Sequence, residues 1–202
     1  MTINKNTKFL IVGLGLLGGS YARGLTGKGY YVEALVDNKK AMDYALGHGM
    51  VKKVSMDVDE EMIKEADIII FTLYPETFVS WIEKNGHLIK PGTVITDVTG
   101  VKGAVVDRVQ SILRPDVEFI AAHPMAGRER SGVEFSDPEV FRGANYIVTP
   151  TDKNSEEAIS LCKEIGRLLG FGRISVLSVE EHDKMIAFLS QLTHVIAITL
   201  MN

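Results

Sequence analysis

Residues 8–20 read KFLIVGLGLLGGS, an apolar run that ends in glycines at Gly13, Gly15 and Gly18. Glycine loses more backbone freedom on folding than any other residue, so such a cluster needs a physical reason. A turn joining a strand to a helix supplies one. Gly13 permits the tight turn, Gly15 has no side chain to hold a bound group away, and Gly18 lets the helix pack closely on the strand. The free N–H groups at the start of that helix, beside Leu16 and Leu17, then face a diphosphate. A glycine-rich turn without a ligand has the same local pattern. The strand before it and the helix after it distinguish the two.

Outward from this loop, short apolar runs alternate with helical patterns. Strands are expected at 9–12, 31–36, 51–54, 68–73, 94–97, 117–121, 145–148 and 173–176. Helices are expected at 16–25, 39–46, 59–65, 77–85, 104–113 and 155–169. Strands without polar alternation, separated by helices, indicate a parallel sheet covered on both faces. The expected class is therefore α/β, a doubly wound, mostly parallel Rossmann-type sheet. A long polar stretch, HPMAGRERSGVEFSDPEVFRG, begins at His123 and is expected to be a functional or disordered loop. From Val179 to Met201 a helical pattern continues, and its second half is apolar on most sides. Such a helix needs partners, from further sequence, from a second subunit, or from both.

Composition narrows the function. The chain has 202 residues, 46% hydrophobic and 24% charged, with a formal net charge of −4. That balance argues against generic nucleic-acid binding, which wants a basic face. The single cysteine, Cys162, allows no internal disulfide and falls on the apolar face of a predicted helix. No signal peptide and no apolar run of about 18 residues is apparent, so a cytoplasmic protein with no membrane span is expected. No metal site is expected.

Asp37 ends the second predicted strand about 20 residues past the glycine loop, where an acid receives the adenosine ribose hydroxyls. A carboxylate there repels a 2′-phosphate, which favours NAD over NADP. Asp37 also suits a cap on the helix that begins near Asn38, and Lys39 and Lys40 are close enough to meet a 2′-phosphate. In this fold ligands sit at the carboxyl ends of strands. Thr72, Leu73, Tyr74 and Pro75 are therefore expected near the cofactor, with Tyr74 either flanking a ring or half-buried in a loop. His123 follows a strand at that same edge. An imidazole suits removal of a hydroxyl proton during hydride transfer, and the position equally suits a structural histidine.

Four segments, GLGLLGGS, DVTGVKG at 97–103, HPMAGRERSG at 123–132 and LSQLTHVIA at 189–197, occur in the order seen in prephenate and arogenate dehydrogenases, which the chain resembles throughout. The resemblance implies NAD-dependent oxidative decarboxylation of prephenate to 4-hydroxyphenylpyruvate, in tyrosine biosynthesis, with arogenate as the alternative substrate. A dinucleotide-binding module without catalysis is the alternative of a different class. The resemblance implies that His123 is the base, that Glu129 gates the substrate pocket, that His194 faces the substrate and that Ser190 lies nearby. Gly100 stands where the family often has a serine, with Thr99 beside it as a substitute hydroxyl. Gln191 and Thr193 replace a common histidine and proline. Arg128 stands in place of a small polar residue, to seat a carboxylate or face solvent. Lys102, Arg130 and Arg142 are further candidates for anion contact or for solvated surface charge. The implied organisation is a dinucleotide-binding domain over residues 1–176, with 177–202 opening an all-helical domain through which the family dimerises and contributes a substrate-binding arginine.

Overall fold

The computed structural model describes residues 2–191 and residue 199, and of Ser190 and Gln191 the backbone alone. The chain runs β1 (Lys8–Val12), α1 (Leu16–Gly27), β2 (Tyr31–Leu35), α2 (Lys39–Gly47), β3 (Lys53–Ser55), α3 (Glu60–Glu65), β4 (Ile68–Phe71) and α4 (Pro75–Asn85). It continues through β5 (Val94–Asp97), α5 (Val106–Ile112), β6 (Glu118–Phe119), β7 (Ala121–Met125), β8 (Asn145–Thr149), α6 (Glu156–Leu169), β9 (Arg173–Val176) and α7 (Val179–Ile186). Strands β1 to β6 form one parallel sheet in the order β3-β2-β1-β4-β5-β6. That order reverses direction between β1 and β4, which opens a crevice at their carboxyl ends.

Strand periodicity explains why both faces are covered. Phe9 and Ile11 point into one core with Val32, Ile68 and Ile70, while Leu10 and Val12 point into another with Ile69, Phe71 and Ile95. Side-chain oxygens cap the helices where the sequence offers them. Asn38 accepts from the Ala41 N–H, Asp59 from Met62, and Ser155 from Ala158. Ser178 and Glu181 form a reciprocal capping box at the start of α7.

Three sequence expectations change. The predicted strand at 117–121 divides at Ile120: β6 closes the parallel sheet, and β7 enters a second sheet of order β7-β8-β9, antiparallel to β8. His123 thus lies within a strand, opposite Ile147, rather than after one. Pro124, which lacks an N–H, is accommodated because β7 is an edge strand of that second sheet. The long polar stretch is also structured. After β7 it makes short 3₁₀ turns at Val133–Phe135 and Pro138–Phe141, and packs on α1. A Cβ on Gly19 would lie 2.6 Å from the Ser136 Cβ, so α1 lacks a side chain there to admit this segment. Finally, α7 gives way to a π-helical turn at Ala187–Gln191. The remainder of the predicted helix to Met201, including His194 and Thr193, lies outside the described residues apart from Thr199.

Candidate active site

The glycine loop joins β1 to α1 at the crevice. Gly13 has φ +96°, a conformation that side chains strain, and a Cβ on Gly18 would fall 2.1 Å from the Gly13 carbonyl oxygen. Thr72 locks the turn from the end of β4, its hydroxyl donating to the Gly13 carbonyl at 2.6 Å. A Cβ on Gly15 would meet nothing within 4 Å, so its bare backbone faces open space. No side chain caps the N-terminus of α1, and its first turn carries no acid. This cradle fits a dinucleotide diphosphate: uncapped N–H groups, the positive end of a helix, and room that a side chain would fill. Asp37 lies exposed at the end of β2, hydrogen-bonded at 2.7 Å to the Asn38 amide nitrogen. Asn38, not Asp37, is the cap of α2. Lys39 pairs with Asp43, and Lys40 with Glu134. Tyr74 is 85% exposed at the start of α4, where Pro75 takes the first helical position, and Leu73 closes against Gly13.

A second cluster fills the carboxyl end of β5. Asp97 is fully buried and accepts from the Ala122 N–H at 3.0 Å, from the Thr99 N–H at 3.0 Å and from the Thr99 hydroxyl. Lys102 is fully buried too, its ammonium 2.8 Å and 2.9 Å from the two Asp97 oxygens and 2.5 Å from the Ala122 carbonyl. Lys102 is therefore neither a surface charge nor an anion contact. The sequence VKG hides this because a buried lysine is uncommon unless a carboxylate pairs with it. Burial lowers its ammonium from the ordinary value against the opposing pull of Asp97. The cluster ties β5 to β7 and sets the position of the residue after Ala122, which is His123. Thr99 donates its hydroxyl hydrogen to Asp97 and accepts from the Lys102 ammonium at 3.2 Å, so that hydroxyl belongs to the buried cluster.

His123 lines an open cleft of about 520 Å³ with Gly100, Val101, Pro124, Met125, Ala126, Gly127 and Ile186. A Cβ on Gly100 would stand 3.7 Å from His123 Nε2, so the glycine leaves that nitrogen room. On the other side, Nδ1 lies 2.9 Å from Nε2 of His182, a buried residue of α7. His182 Nδ1 lies 2.7 Å from Asp183 Oδ1. Burial, reinforced by the Lys102 ammonium, pushes the His123 imidazole down to about 4, so it is neutral at pH 7. Sequence alone does not mark His182 and Asp183. The available signal was His182 four residues before Ile186, a polar residue on the apolar face of a short capped helix.

Arg128, Glu129, Arg130 and Arg142 do not line this cleft. Arg128 pairs with Asp137 at 3.1 Å and lines a different cleft of about 630 Å³ with Arg23 and Arg130. Arg130 lies over the Phe135 ring, and Arg142 pairs with Glu139. Glu129 is exposed in the loop between β7 and the first 3₁₀ turn. Cys162 is buried, its thiol pushed up to about 11 chiefly by burial, as expected of a core residue. Among the described residues no cluster of His, Cys, Asp or Glu is placed to hold a metal, and no helix is long and apolar enough to cross a membrane. The side chains of Ser190 and Gln191, and all of His194, lie outside the described residues.

Residues 22–174 match the model of the prephenate dehydrogenase nucleotide-binding domain. The chain is 31% identical over 199 residues to a prephenate dehydrogenase of Lactococcus lactis, covering 96% of this chain and 52% of the relative. Among solved structures, a prephenate dehydrogenase of A. aeolicus in complex with hydroxyphenyl propionate and NAD+ superposes with a TM-score of 0.88 at 28% identity, covering 96% of this chain and 68% of that one. An arogenate dehydrogenase of Synechocystis has the same TM-score at 26% identity and the same coverage. The chain spans about half the length of that curated relative. With the sheet order and the family model over residues 22–174 in agreement, the chain belongs to the prephenate dehydrogenase family and carries its nucleotide-binding domain.

Proposed function

We propose that this chain is the catalytic core of an NAD-dependent prephenate dehydrogenase, which oxidises and decarboxylates prephenate to 4-hydroxyphenylpyruvate. Gly13, Gly15 and the first turn of α1 would hold the diphosphate of NAD and Asp37 would receive its adenosine ribose, and the bound cofactor would supply a hydride acceptor for ring carbon C4. Asp37 is free of the helix-capping role that Asn38 fills, and Lys39 and Lys40 are engaged by carboxylates. Both points support NAD over NADP. His123 takes the proton of the C4 hydroxyl as the C4–H bond breaks, and the ring carboxylate departs as carbon dioxide with its bonding pair passing into the new aromatic ring. The protein aligns C4 and supplies a neutral base.

The observation that carries the reading is an imidazole lining an open cleft, with one ring nitrogen beside Gly100 and the other held by His182. Residues 1–176 would form the nucleotide-binding domain. Residues 177–202 would open a helical domain that pairs two copies, with Ser190, Gln191 and His194 contributing to the substrate side, while Arg128 is engaged by Asp137 and Glu129 stays outside the His123 cleft. The arogenate dehydrogenase among the similar structures supports arogenate as the second reading, since the two substrates differ by an ammonium in place of a keto group. The test is NADH absorbance in the full natural polypeptide with each substrate. Faster turnover of prephenate is expected, and preference for arogenate would replace the substrate. His123→Asn is expected to lower turnover by about 10²–10⁴ with binding retained. Unchanged turnover removes His123 from the role.

A further inference from the structure

We propose that His182 and Asp183 are positioning residues that fix which ring nitrogen of His123 carries hydrogen, a role that rests on His123 being the base. The contacts have one direction. Asp183 receives the backbone N–H of Lys102 at 2.9 Å and of Gly103 at 2.8 Å, which hold its carboxylate in place. Burial opposes its ionisation, but these two bonds and His182 outweigh that and keep Asp183 below the usual carboxylate range. An ionised carboxylate only accepts, so at 2.7 Å the hydrogen sits on His182 Nδ1. His182 is fully buried, and burial lowers its pKa, so the ring is neutral and its Nε2 carries a lone pair. His123 Nδ1, 2.9 Å from that lone pair, must therefore be the donor. Its Nε2, the nitrogen beside Gly100 in the cleft, is left bare to accept a proton. If His182 carried its hydrogen on Nε2, His123 would hold its own on Nε2 and have nothing to accept with.

The surrounding charges reinforce this order. Lys102 and Asp97, from β5 and the loop that follows, neutralise each other within hydrogen-bonding distance. Asp183, on α7, is the carboxylate in contact with His182. The loop between β5 and α5 thus serves both ends: its Lys102 side chain sets the strand that bears His123, and its backbone N–H groups at Lys102 and Gly103 hold Asp183.

Long-range ¹⁵N–¹H NMR reads the tautomer of each imidazole directly in this chain, without cofactor or turnover. His123 is expected as the Nδ1–H form, and an Nε2–H form in the unmodified chain overturns the proposal at once. In His182→Phe, which keeps bulk but removes the acceptor, His123 should shift to Nε2–H. In the full natural polypeptide kcat should then fall at least about tenfold with KM held within about twofold. His182→Gln offers an amide oxygen in place of the lone pair, and should restore the Nδ1–H form and part of kcat. If His182→Phe does not fold, His182→Asn, too short to reach, takes its place. An unshifted tautomer, or a shifted one with full kcat, sinks the relay. Equal losses in the Phe and Gln variants with the tautomer kept also sink it, since they mark a merely structural residue. His123→Asn run alongside separates the two ideas: normal turnover there removes the base itself, whatever the NMR reports.

Discussion

At the scale of single residues, two side chains divide the work at the end of β2. Asp37 and Asn38 are adjacent, and the sequence offers Asp37 either as the helix cap or as the acid for the ribose. The structure assigns the cap to Asn38, whose Oδ1 accepts from the Ala41 N–H at 2.8 Å, and leaves the Asp37 carboxylate exposed at the crevice. Asp37→Ala should therefore weaken NAD binding about tenfold, the weight of one charge-assisted hydrogen bond, and narrow the preference over NADP. Titration with both nucleotides checks this, and unchanged NAD affinity would return Asp37 to a surface role. His123 was legible as a candidate because a histidine at a strand end on the ligand side is chemically informative. His182 was not, because one histidine in a short helix has many ordinary readings. Its meaning comes from a contact 59 positions away in sequence.

At the scale of elements, the turn between β1 and α1 separates folding from binding, glycine by glycine. A Cβ on Gly18 would meet the Gly13 carbonyl at 2.1 Å, so Gly18→Ala should destabilise the fold by about 1–3 kcal/mol. A Cβ on Gly15 meets nothing, so Gly15→Ala should melt like the parent yet bind NAD more weakly. Equal nucleotide affinity in that variant would mean the diphosphate does not lie over Gly15. The junction of β5 and β7 makes the complementary point. Lys102→Met leaves Asp97 buried without its cation, and should cost about 3–5 kcal/mol in urea denaturation. A loss below about 1 kcal/mol would mean that water replaces the ammonium there. The parallel strands and their helices were readable because their periodicity is local. The division at Ile120 was not, since one apolar run serves two sheets and only the partners of each half tell them apart.

At the scale of the whole molecule, α7 docks beside β7 through His182 and His123, and pH should test that meeting. His123 sits at about 4 in the folded chain against an ordinary 6.5, and His182 is also lowered by burial. The unfolded chain therefore binds more protons between those values, and stability rises with pH across that window. The stabilisation is complete above pH 6.5 and is lost as pH falls toward 4. The melting temperature should drop over that range, and His123→Asn should flatten part of the drop. A parent profile level between those limits would contradict a buried neutral pair. The alternation of strand and helix along the chain told the class of fold from sequence, because a doubly wound sheet is built of local units. The cleft was less legible, since it is assembled from the loop after β5, from β7 and the residues after it, and from α7, which lie far apart in the chain.

The most direct measurement is a crystal structure of this chain with NAD. The diphosphate is expected over Gly13 and Gly15, with the nicotinamide ring opening onto the His123 cleft so that a substrate carbon fits between ring and Nε2. A nicotinamide bound away from that cleft, or a His123 ring turned from it and held there by other partners, would contradict the account.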